Sequence, residues 1–153
     1  MSHPGCSSRT AFGPAPAPGS HPWALLQILR LQIQSQIAPE RHSWQRGLAL
    51  AASVWGRIEG PQVFAALAEM LEQMGRSRRS MFRFSNPDCS GCAAMMTAHE
   101  SLFLQIVTLI WQGQVEKAER AAFLLCEAND VNGLVQAGTR LALVLPSEAA
   151  ARP

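Results

Sequence analysis

Residues 86–100 read NPDCSGCAAMMTAHE and place two thiols, two thioethers, an imidazole and a carboxylate within fifteen positions. Cys89 and Cys92 form a C-x-x-C pair. On a helix, residues three apart share a face, so both sulfurs would leave the first turn on the same side. The amides and dipole of that turn favour thiolate, the form that ligates a metal or attacks a disulfide. Two chemistries follow: a metal site, with zinc the first choice, or thiol redox.

Zinc takes four protein ligands, or three and a water. One C-x-x-C supplies two, and the chain has no second such pair and no His-x3-His. His99 stands seven residues past Cys92, two turns and ~10 Å farther along a helix axis. Cys126 supplies a third sulfur if its helix packs beside the one carrying His99. The candidate metal ligands are therefore Cys89, Cys92, His99 and Cys126, with His42, Cys6 or a second copy of the chain to complete the set. Met96 adds a soft ligand that suits Cu(I), although methionine at this spacing more often packs a core. The competing reading makes the cysteine pair two small buried apolar groups at a helix end.

Thr97 and Glu100 have a plainer explanation. T-x-x-E ahead of an apolar run is a capping box. It would start a helix at Ala98 and leave the cysteines on a separate turn before it.

Signs of catalysis are sparse. No Gly-rich phosphate loop and no G-x-S-x-G occurs, and His99 and Glu100, being adjacent, point to different helix faces. Nothing marks an oxyanion hole or an orienting acid for Cys89 or Cys92. The expectation is that the chain is not an enzyme.

The elements that must hold these residues are helices. Trp23, Leu26, Leu29, Ile33 and Ile37 follow at three- and four-residue steps, opposite Gln27, Arg30, Gln34 and Gln36, which predicts an amphipathic helix over 22–37. Ser20 caps it and Pro39 ends it. Trp44, Leu48, Ala51, Trp55 and Ile58 define a second helix, broken at EGPQ. Phe64, Leu67, Leu71 and Met74 define a third, with Gly75 as its left-handed terminal residue. From Leu102 the chain reads LFLQIVTLIW, apolar nearly all round, so a helix over about 87–111 should be central and mostly buried. Val115 to Leu125 and Leu134 to Leu145 supply two more. WQGQVEKAERAAFLL resembles a single tetratricopeptide-like hairpin, without a second copy. The predicted fold is all-α, a single compact bundle of five to six helices. Residues 1–19, with GPAPAPGS, read as a disordered arm, 20–146 as the helical domain, and 147–153 as a loose tail.

Composition bounds the function. The chain has 153 residues, 48% hydrophobic and 16% charged, with net charge +2. That is globular, with a thinly charged surface that hints at cover by a partner or a second copy. The charge is too mild to imply nucleic acid. A basic linker at about 75–86, with Arg76, Arg78, Arg79 and Arg83 among Met81, Phe82 and Phe84, is the feature that could grip it. MSHPGCSSRT lacks the order of a signal peptide, and Ala93 to Trp111 carries a charge and several polar groups, so no membrane span is expected. The expected compartment is the cytoplasm, with the four cysteines as reduced thiols or metal ligands.

These observations point to a small intracellular accessory or regulatory protein that acts by binding another protein, with a homodimer as one form. A structural metal could sit at the C-x-x-C pair. The alternatives are a thiol-redox sensor or metal-handling protein using Cys89 and Cys92, and a nucleic-acid-binding regulator using Arg76 to Arg83.

Overall fold

The computed structural model describes residues 11–146. Its elements are β1 (Ala11–Pro14), α1 (His21–Ile37), a 3-10 turn at Pro39–Arg41, α2 (Ser43–Ser77), α3 (Ser90–Ala93), β2 (Met95–Thr97), α4 (Ala98–Trp111), α5 (Val115–Leu125) and α6 (Asn132–Val144). The fold is all-α, as the apolar periods predict. No helix among the described residues is long and apolar enough to cross a membrane. The expectations for residues 1–10 and 147–153 lie outside the described residues.

Helix α2 is a hairpin of two helical halves. At Gly56 the backbone takes φ 91° and ψ 173°, a conformation essentially reserved for glycine. A side-chain carbon at Gly60 would lie 2.6 Å from the Ala51 carbonyl oxygen, and one at Gly47 would lie 3.2 Å from Phe64. Pairs 51–60 and 47–64 share a midpoint between Trp55 and Gly56, so the halves run antiparallel. The chain therefore reverses at Gly56, not at EGPQ, and Pro61 lies inside the second half. Gly75 is likewise not terminal, because the helix continues to Ser77.

The enclosed helix is α1. Every residue from Ala24 to Gln34 is buried, including Gln27, Arg30, Gln32 and Gln34. Its apolar stripe packs on α2, and α4 lies against it as well. Its polar side, expected to meet water, is covered by the chain between Arg83 and Glu100, to which Arg30 and Gln34 bond. Ile37, at the end of the stripe, is exposed. Helix α4 buries Phe103, Leu104, Ile106, Val107 and Ile110 against α5 and α6, but Gln105 and Thr108 are exposed.

Residues 87–111 are not one helix. They divide into α3, β2 and α4, because Thr97 and Glu100 form the capping box and start α4 at Ala98. The segment ahead pairs as β2 with β1, antiparallel, with Ala11 opposite Thr97, Gly13 opposite Met96 and Pro14 opposite Met95. Residues 11–14, expected within a disordered arm, thus form a strand. Strands of three and four residues are too short to show an alternation in sequence.

Candidate functional site

Arg30 organises the sulfur-bearing segment. Its Nε donates to Glu100 Oε2 at 2.6 Å and its Nη2 to Glu100 Oε1 at 3.2 Å, with both side chains 0% exposed. The same guanidinium donates to the carbonyls of Ala93 at 2.9 Å and Met95 at 2.7 Å. Glu100 accepts in addition from the amides of Thr97 and Ser85. Thr97 Oγ1 accepts from the Glu100 amide and donates to the Arg83 carbonyl. A buried charge is tolerable only when it is paired and hydrogen-bonded, and this pair meets both conditions. With its oxygens so occupied, Glu100 is a structural carboxylate.

A second clamp holds the start of the segment. Asp88 accepts from Arg46 at 2.8 Å and from Gln34 at 3.0 Å, and Gln34 in turn accepts from Ser43 at 2.6 Å. The hydrogen bond from Arg46 outweighs partial burial and holds the Asp88 carboxyl below its ordinary range.

Between these clamps sits the cysteine pair. Cys89 is 2% exposed and caps α3, its Sγ accepting the Cys92 amide at 3.4 Å. Cys92 is half-buried. His99 serves elsewhere. Its Nδ1 accepts the Arg83 amide at 2.9 Å, its Nε2 lies 3.5 Å from Arg78 Nη2, and its ring packs on Phe82 at 5.5 Å. Burial, then the charges of Arg78 and Arg83, push its pKa down. Cys126 is buried at the end of α5, where burial pushes its thiol up. The structure therefore brings Cys89 and Cys92 together, while His99 and Cys126 belong to the surroundings of Arg78. Among the described residues, no three His, Cys, Asp or Glu side chains form a group that could hold a metal. With α3, β2 and a new helix start at Ala98, His99 lies on a different helix from Cys89 and Cys92. Cys92 is disulfide-bonded, which departs from the expectation that all four cysteines are reduced thiols or metal ligands. The zinc and redox expectations for Cys89 and Cys92 rest on the sequence pair alone.

The arginine linker is part of the frame. Arg78 donates through Nη1 to the Leu125 carbonyl at the end of α5. Glu127 accepts the amides of Arg79 and Ser80 at 2.8 and 3.0 Å and the Ser80 hydroxyl at 2.9 Å, and these bonds, the Ser80 amide foremost, lower its pKa. Asn129 donates to the Ser77 carbonyl. Arg76 pairs with Glu72. Of the four arginines expected to be available to a nucleic acid, Arg78 is spent inside the fold.

Sequence reasoning missed Arg30. Its signal was the run LLQILRLQI, where apolar residues flank the arginine on both sides and leave little room for a solvated face. A hollow of about 500 Å3 also opens between the start of α1 and the end of α4, lined by His21, Pro22, Leu25, Val107, Trp111 and Leu145 among others. Its lining holds one imidazole, His21, and no carboxylate. No family model, curated protein or solved structure matches the chain, so its own residues carry the functional argument.

Proposed function

We propose that the protein is a small accessory or regulatory factor that binds another protein through the apolar end of α5. One observation supports this reading. Phe123 and Leu124 are 51% and 67% exposed on a helix whose other side buries Ala118, Ala122 and Leu125 completely. Met81, 81% exposed, is tied to the same end, because Arg78 donates to the carbonyls of both Leu125 and Met81. Single exposed apolar residues are ordinary on a protein surface, whereas adjoining ones held on a fixed backbone are what an interface uses. The Glu127 bonds to Arg79 and Ser80 hold that backbone.

Cross-linking in the source cells tests it, with the full chain carrying Leu124→Glu compared with Leu143→Glu, whose side chain is 80% exposed elsewhere on the surface. A cross-linked species kept by the wild type and Leu143→Glu but lost with Leu124→Glu supports the reading. The same species recovered from all three overturns it. Sedimentation velocity then separates a second copy of the chain from a different protein.

A further inference from the structure

A polar hollow of about 480 Å3 opens between the end of α2 and the start of α6, lined by Gln73, Arg76, Ser77, Arg79, Asn129 and Asp130 with Gly133. Its walls are cross-tied. Ser77 Oγ donates to the Asp130 carbonyl at 2.6 Å, Asn129 Nδ2 donates to the Ser77 carbonyl at 2.8 Å, and Glu127 holds the Arg79 amide. These ties fix the backbone around the hollow, so a ligand that enters it has mainly the arginine side chains to order.

Its charges are unbalanced. Arg79 gives only its backbone amide to the fold, and its guanidinium makes no hydrogen bond or ion pair among the described residues. Arg76 reaches Glu72 on the exposed surface, at 2.6 Å with both side chains more than half exposed, a pairing that water weakens. The lone carboxylate of the lining, Asp130, is already accepting from the Asn132 amide at 3.0 Å. The next amides of α6, at Gly133 and Leu134, have no side-chain cap, and the first turn of that helix carries no acid. Donors outnumber acceptors, which disfavours a cation. The lining is too polar for an apolar ligand. A guanidinium fork matches the paired oxygens of a phosphate group.

We propose that this hollow binds a phosphate-class dianion, with Arg79 as its principal contact and Arg76 as the second. The volume exceeds what a bare phosphate fills, so a small phosphate monoester fits the same chemistry. This site adjoins the apolar end of α5 proposed for protein binding, sharing the Glu127 bond to the Arg79 amide, but its contacts are different side chains, so neither proposal depends on the other.

Isothermal titration of the full chain with inorganic phosphate and, separately, with glycerol phosphate, at constant ionic strength, tests the proposal. Saturable one-to-one binding is expected. Arg79→Gln should weaken it by about tenfold or more, the effect of losing a charged hydrogen bond. Arg83→Gln, outside the hollow, should leave it unchanged. Asp130→Asn keeps an oxygen for the Asn132 amide but removes the competing charge, and should tighten it. Tighter binding of glycerol phosphate identifies an ester as the ligand, and the reverse identifies the free anion. Heats that do not saturate by about 10 mM overturn the proposal. Equal losses with Arg79→Gln and Arg83→Gln overturn it as well, since they would report diffuse positive charge.

Discussion

Arg30 and Glu100, seventy positions apart in the chain, meet as a fully buried ion pair at 2.6 Å, and each also holds backbone of the segment that carries Cys89 and Cys92. The pair joins the helix at the centre of the fold to the first turn of α4. The conformation of residues 83–100 therefore depends on an arginine that sequence pattern assigned to solvent.

Removing one partner should be costly. Glu100→Gln or Arg30→Met leaves an unpaired buried charge or unbonded carbonyls, and either should destabilise the fold by about 3–5 kcal/mol. The double change removes both charges together and should lose clearly less than the sum of the two. Urea denaturation of the four proteins measures this. Additive losses would show that the two side chains are not coupled.

His99 makes stability depend on pH. Its Nδ1 must be unprotonated to accept the Arg83 amide, and its folded pKa lies below the ordinary 6.5. Between those two values the unfolded chain binds more protons than the folded one, so stability rises with pH across that window. The contribution is complete above 6.5 and is lost as pH falls through the folded value. Asp88 and Glu127, whose pKa values are also lowered, add a separate loss below the ordinary carboxylate range of 3.8 to 4.5. Urea midpoints measured from pH 7.5 to 5, the histidine range, should fall in the wild type and flatten in His99→Gln.

Two glycines of α2 should respond in opposite ways. Gly56→Ala forces a side chain into a conformation that costs about 1–3 kcal/mol, and should lower the thermal midpoint. Gly75 sits in the second half of the helix with open space where a side-chain carbon would go. Gly75→Ala should raise stability by about 0.5–1 kcal/mol. A thermal melt of each variant checks both signs.

Burial predicts where truncation matters. Leu29→Ala, at a fully buried position on α1, should lose about 2–5 kcal/mol through lost transfer energy and the cavity left behind. Leu143→Ala, 80% exposed, should stay within about 0.5 kcal/mol of the wild type. Guanidinium unfolding of both variants, with unchanged slope, provides the measurement.

The sequence by itself determined what depends on neighbours along the chain. The steps of Leu26, Leu29 and Ile33 made α1 a helix, Thr97 and Glu100 started α4, and Ser20 capped α1. Each of these is settled within one or two turns of backbone, so spacing and residue type suffice. Tertiary structure decided what depends on distant partners. It made α1 rather than α4 the enclosed helix, paired β1 with β2 across more than eighty positions, and gave Arg30 its carboxylate. It also put His99 and Cys126 beside Arg78, with His99 on a different helix from the cysteine pair. Periodicity shows which side of a helix is polar. Whether that side meets water or a buried partner is set by which segments the packed core brings against it, and no local spacing encodes that.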